Sequence, residues 1–171
     1  FNILGPLTNP AGVKRQVIGV FSADLCRPLA EVLKLLGSEH AMIVHADDGL
    51  DEISIAAGTQ VTELFSGNIE SYHITPEEFS LQRCSLDGLA VSGAAASADL
   101  IRRALSGASD EQAQKAAAIL TLNAGATIYV SGVAVTLADG VAMAEDALAS
   151  GLAAEKLKQF IEFTQMMRAQ G

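Results

Sequence analysis

Between Gln16 and His45 the chain sets two apolar runs on either side of one amphipathic segment, and that order leaves few folds open. Gln16-Val17-Ile18-Gly19-Val20-Phe21 reads as a strand, bounded by Lys14-Arg15 and by Ser22. From Ala23 the apolar residues Leu25, Leu29, Val32, Leu33 and Leu36 recur at helical spacing. Pro28 is tolerable in the first turn and Gly37 supplies a stop, so the spacing predicts a helix from about Asp24 to Leu36. Ala41 to His45 is then a second strand. Strand, helix and strand in this succession make a β-α-β unit, which requires a right-handed crossover and a parallel strand pair.

Local signals organise the segments on either side of that unit. Gly5-Pro6 and Asn9-Pro10 are turn dipeptides, so residues 1–12 are expected to be irregular but structured. Gln60 to Phe65 and Ile69 to Ile74 alternate in polarity around Ser66-Gly67-Asn68, which predicts an antiparallel hairpin with a three-residue loop. Thr75-Pro76-Glu77-Glu78 places a capping hydroxyl, a first-turn proline and acids in the order that starts a short helical turn. Beyond residue 90 four helices are expected, at Ser97–Leu105, Asp110–Val130, Val135–Leu148 and Ala153–Met167, with Gly93-Ala94-Ala95-Ala96 as a loose connection. The predicted class is α/β: a partial parallel sheet with a β-α-β unit, an antiparallel hairpin and a C-terminal set of packed helices.

The second strand of the unit runs directly into His45-Ala46-Asp47-Asp48-Gly49-Leu50-Asp51-Glu52. Ligands of open α/β sheets bind beyond the carboxyl ends of the strands, so four carboxylates stand where chemistry is expected. No lysine or arginine lies between Lys34 and Arg83 to neutralise them. A divalent cation arriving with a phosphorylated substrate is a natural partner, since magnesium takes one or two carboxylates and completes its shell with water and phosphate oxygens. On composition alone, a solvated acidic loop is the plainer reading. Asp47 and Asp48 in particular suit a turn, where such side chains bond to nearby backbone.

Other polar residues point to structure. His45 at a strand end reads as a satisfied structural histidine, and His40 and His73 as surface residues. Asn123, inside the apolar stretch Ile119 to Ile128, must find partners and is expected to bracket a neighbouring loop. Ser22 and Ser54 sit in no nucleophile elbow and read as backbone caps. Gly5, Gly12, Gly19 and Gly37 make neither a GxGxxG nor a Walker loop, which argues against dinucleotide and ATP sites.

The net charge of −9, from eleven basic and twenty acidic side chains, disfavours nucleic acid as a partner. Cys26 and Cys84, far apart and without CxxC spacing, read as reduced thiols. Apolar stretches are broken well short of the ~20 residues of a membrane span, and no charged leader precedes an apolar core. A soluble cytoplasmic protein without membrane contact is expected. The chain opens on Phe1 without methionine, so further residues upstream are expected.

The opening Phe1-Asn2-Ile3-Leu4-Gly5-Pro6-Leu7-Thr8-Asn9-Pro10-Ala11, followed by Val17 to Phe21, resembles the anthranilate phosphoribosyltransferases. Pro28-Leu29-Ala30-Glu31-Val32-Leu33, Val44-His45, Asp48-Gly49-Leu50-Asp51-Glu52-Ile53-Ser54 and Leu122-Asn123-Ala124-Gly125 fall in that family's order. The resemblance implies the C-terminal part of an enzyme that joins a helical domain to an α/β domain. That enzyme transfers phosphoribose from 5-phosphoribosyl 1-diphosphate to anthranilate, in tryptophan biosynthesis.

Asp51-Glu52 matches the family's metal pair, so the resemblance implies Mg²⁺ held by Asp51 and Glu52 at the diphosphate. It further implies that the glycine-rich diphosphate loop, the helical domain and the homodimer contact lie before Phe1, and that residues 1–171 alone are inactive. Gly58 departs from a proline common in the family, which affects a turn more than chemistry. A nucleoside phosphorylase of the same superfamily and a non-enzymatic binding relative are the alternatives.

Overall fold

The computed structural model describes residues 3–170. Phe1 and Asn2, the first two residues of the opening motif, lie outside the described residues. Four strands form one sheet in the order β1 (Arg15–Gly19), β2 (His40–Ala46), β3 (Thr59–Phe65) and β4 (Asn68–Ile74). β1 and β2 are parallel, with Val17 beside Met42 and Gly19 beside Val44. β2–β3 and β3–β4 are antiparallel. The expected β-α-β unit is therefore present, and the hairpin extends it as an antiparallel flank.

The helix of that unit is a 3-10 turn, Ala23–Leu25, continuing as α2 (Cys26–Leu35) with Pro28 in its first turn. α2 buries Cys26, Leu29, Ala30 and Leu33 against Ile18, Ala41, Ile43 and Leu64 on one face of the sheet. Met42, Val44, Val61 and Ile74 point to the other face, where they meet Leu122, Ala126 and Val130 of α4 (Glu111–Ser131) and Val141 of α5 (Leu137–Ala149). β2 is thus covered on both faces, which is why its sequence is a continuous apolar run instead of an alternating one.

The C-terminal helices are α3 (Ala94–Leu105), α4, α5 and α6 (Leu152–Gln170). Asp110 caps α4 by accepting a bond from the Ala113 N–H at 3.0 Å, and Arg15 Nη1 donates to the Val130 carbonyl at its far end, at 3.1 Å. Thr136 and Asp139 form a reciprocal capping box at the start of α5. α4 and α5 cross closely at two glycines: a Cβ on Gly125 would lie 2.6 Å from Val141 Cα, and one on Gly140 2.3 Å from the Gly125 carbonyl oxygen.

Four local expectations need correction. Residues Leu4–Leu7 form a one-turn helix, α1, despite Gly5-Pro6. Pro6 falls within the first turn, where its missing N–H had no intrahelical partner to lose. The hairpin loop has two residues, because Asn68 already pairs with Phe65. Ser66 at φ 49° and Gly67 at φ 81° give the left-handed pair that a tight hairpin of right-twisted strands needs. The alanines after Gly93 are not loose: they are the first turn of α3, as their high helix propensity permits. Ser22 stands at the N-cap position before Ala23, but its hydroxyl makes no capping bond. The remaining helix ends fall close to expectation, and the short turn Pro76–Phe79 carries the Thr75–Glu78 capping box.

Cys26 and Cys84 are free thiols. Among the described residues no helix is long and apolar enough to cross a membrane.

Candidate functional site

The loop from Asp47 to Gly58 leaves the carboxyl end of β2 and folds back across the end of β1. Its two ends are tied together: the Asp47 N–H donates to the Gly58 carbonyl at 2.9 Å, and the Ala46 N–H to the Leu50 carbonyl at 3.0 Å. His45 Nδ1 donates to the Val20 carbonyl at 2.7 Å, locking the exits of the two parallel strands together. His45 is the structural residue the sequence suggested.

The four acids of the loop divide into two kinds. Asp48 accepts from the Leu50 N–H at 3.1 Å and from Ser54 Oγ at 2.6 Å, and Ser54 Oγ in turn accepts from the Ala56 N–H at 3.0 Å. Asp47 Oδ2 is 2.9 Å from His73 Nε2. These two acids and Ser54 build the turn. Among the described residues, by contrast, neither the Asp51 nor the Glu52 carboxylate accepts a hydrogen bond or forms an ion pair, although both are exposed. Burial of part of the group, and then the neighbouring Asp51 anion, push the Glu52 carboxyl above the ordinary carboxylate range.

Gly19 explains how the loop can lie so close to β1. A Cβ at that position would be 1.6 Å from the Asp51 carbonyl oxygen, so only glycine admits the backbone of residue 51 there. Asp51 then lines a crevice of about 150 Å³ with Ile3, Pro6, Ile18, Phe21 and Leu29. Glu52 follows it on the exposed shoulder of the loop. A larger cavity of about 400 Å³ lies between α3 and α6, lined by Leu105, Leu157 and Ile161, and contains none of these acids.

Among the described residues no three His, Cys, Asp or Glu side chains are grouped as an all-protein metal cage. Two adjacent, unpartnered carboxylates that repel each other match magnesium, which takes few protein ligands and fills its shell with water and phosphate oxygens.

Elsewhere the fold holds a buried network that the sequence alone does not announce. His40, expected at the surface, is 2% exposed. Its Nε2 lies 2.6 Å from Glu63 Oε1, and Tyr72 donates to Glu63 Oε2 at 2.8 Å. The ring packs edge-on against Tyr129 at 4.9 Å, and Nδ1 has no partner among the described residues. Desolvation and the Glu63 side chain push Tyr129 up to about 12. The strand alternation held the signal, since His40 shares a face with Met42 and Val44. His73, as expected, is exposed, and its ring covers the Cα of Gly58 so closely that a side chain there would displace it.

Residues 1–154 match the model of the glycosyl transferase family a/b domain. The chain is 62% identical over 164 residues to the anthranilate phosphoribosyltransferase of Teredinibacter turnerae, covering 96% of this chain and 48% of that protein. It is 61% identical over 168 residues to that of Cellvibrio japonicus, covering 98% and 49%. The chain therefore spans about half the length of the relatives it matches. Among solved structures, anthranilate phosphoribosyltransferase from Thermus thermophilus superimposes with a TM-score of 0.84 at 39% identity, over 96% of this chain and 47% of that one. The Saccharomyces cerevisiae enzyme in complex with PRPP and Mg gives 0.79 at 27% identity, over 94% and 46%.

Proposed function

Because this chain belongs to the glycosyl transferase family whose a/b domain it matches, we propose that it is the C-terminal portion of an anthranilate phosphoribosyltransferase. The enzyme joins phosphoribose from 5-phosphoribosyl 1-diphosphate to the amino group of anthranilate and releases diphosphate. The observation that carries this reading is the unpartnered pair Asp51 and Glu52, held beyond the carboxyl ends of β1 and β2 in a chain so similar to these enzymes.

Asp51 and Glu52 are the residues that would hold Mg²⁺. What the bound ion supplies is positive charge at the diphosphate as its bond to the ribose carbon breaks. The chain's own contribution is alignment. Gly19 lets the loop backbone settle against β1, Asp48 and Ser54 shape the turn, and His45 fixes the two strand ends that carry it. No side chain need act as nucleophile, since the aromatic amine attacks the sugar carbon directly once the two substrates are aligned.

On this reading the glycine-rich diphosphate loop, a helical domain and the homodimer contact belong to the other half of a cytoplasmic enzyme. Turnover tests it. The intact enzyme, given both substrates, is expected to consume anthranilate and release diphosphate with magnesium, to stop with EDTA and to recover when magnesium is restored. Residues 1–171 by themselves are expected to give no turnover. Absence of transfer by the intact enzyme with magnesium present would overturn the proposal, and full activity of residues 1–171 would overturn the division of labour.

A further inference from the structure

The side-chain amide of Asn123, on α4, grips one residue of the acidic loop at two points. Its Nδ2 donates to the Ile53 carbonyl at 3.0 Å and its Oδ1 accepts from the Ile53 N–H at 3.0 Å, while Nδ2 also donates to the Ile119 carbonyl at 3.0 Å. This reproduces, for Ile53 in the loop, the two-point pairing of a strand ladder. Ile53 is 2% exposed and packs with Leu122 and Ala126 of the same helix, so the grip is backed by the core.

On the other side of the acid pair, the Leu50 carbonyl is held by the Ala46 N–H and the Asp51 carbonyl rests against Gly19. Asp51 and Glu52 are therefore suspended between anchors at residues 50 and 53. Removing the anchor at 53 frees the backbone that aims Glu52.

We infer that Asn123 is a positioning residue for the metal pair: through Ile53 it sets the direction in which the Glu52 carboxylate leaves the loop. The inference rests on the proposed metal role of Asp51 and Glu52. An amide is what the position requires, because Ile53 presents one donor and one acceptor and only a side chain carrying both can answer them. Leucine would fill the space and leave both groups unpaired.

The test is Mn²⁺ binding to the intact enzyme with 5-phosphoribosyl 1-diphosphate, followed by electron paramagnetic resonance of the free and bound ion. Asn123→Ala is expected to weaken Mn²⁺ affinity about tenfold or more, in line with the loss of groups that orient metal ligands, and to alter the bound-ion spectrum. Leu64→Ala, fully buried on the α2 face of the sheet beside Ala41 at the start of β2, is the control: it is expected to lower the melting temperature while leaving affinity within about twofold. Should the alanine variant fail to fold, Asn123→Ser, whose side chain is too short to span Ile53, is measured instead with the same expectation.

Unchanged affinity and spectrum in a folded Asn123 variant, or an equal loss in Leu64→Ala, would overturn the positioning role. If Asp51→Asn with Glu52→Gln also leaves affinity unchanged, the metal reading falls and the positioning role falls with it.

Discussion

Exchanging Asp51 for asparagine and Glu52 for glutamine in the intact enzyme is expected to cut magnesium-dependent turnover by about a thousandfold. That figure corresponds to roughly 4 kcal/mol of transition-state stabilisation, the scale on which a Lewis acid at a departing phosphate acts. The fold should not suffer, because neither carboxylate is bonded to another group among the described residues.

The pH dependence of stability runs in the same direction. Burial and then the Asp51 charge raise the Glu52 pKa in the folded chain, so the folded state holds that proton more tightly than the unfolded state does. The resulting stability is complete below the ordinary carboxylate pKa and is lost as pH rises through the raised value. Above the raised value the Glu52 charge therefore works against folding, and glutamine removes that cost. A melting temperature equal to or slightly above that of the parent at pH 7, with turnover lost across a magnesium titration, is the expected pair of results. A variant whose turnover follows magnesium as the parent's does would remove the acids from the site.

The largest effect on stability is expected at the crossing of α4 and α5. Alanine at Gly140 places its Cβ 2.3 Å from the Gly125 carbonyl oxygen and 3.2 Å from the Tyr129 backbone nitrogen, so every close neighbour is main chain. No rotamer change can relieve this, and the helices must move apart. Helix propensity favours alanine by ~1 kcal/mol, whereas overpacking against a rigid neighbour costs more, leaving a net loss of ~2–4 kcal/mol. For a chain of this size that is a fall of about 5–15 °C in melting temperature. Calorimetry on the parent and on Gly140→Ala measures it, and an unchanged midpoint would show that the crossing yields without cost.

Much of the architecture was legible because it depends on short-range pattern. Val17 to Phe21, Leu25 to Leu36 and Ala41 to His45 carry their periodicities within single elements, and Thr75 and Asp110 announce helix starts by chemistry that acts over three residues. What escaped depends on contacts between distant parts. Gly19 looks like an ordinary weak strand residue until the Asp51 carbonyl is seen to occupy the place of its missing side chain. His40 looks polar and terminal until Phe65, Tyr129 and Glu63 close around it.

The same distinction holds at the site. Four acids in one loop could be counted from the sequence, but which two stay unpartnered was set by Ser54 and His73, whose partners Asp48 and Asp47 could equally have faced solvent. Asn123 was legible as a bracket because an amide in an apolar helix needs partners. That its partner is the residue next to Glu52 was not, since residues 53 and 123 meet only once α4 packs on the sheet.

The most direct measurement is anomalous diffraction from crystals of the intact enzyme soaked with Mn²⁺ and 5-phosphoribosyl 1-diphosphate. The expected map places manganese in direct contact with the carboxylates of Asp51 or Glu52 and with the diphosphate. Manganese bound to the diphosphate with both side chains turned away, or bound to other residues of this chain, would contradict the assignment of Asp51 and Glu52 as the metal pair.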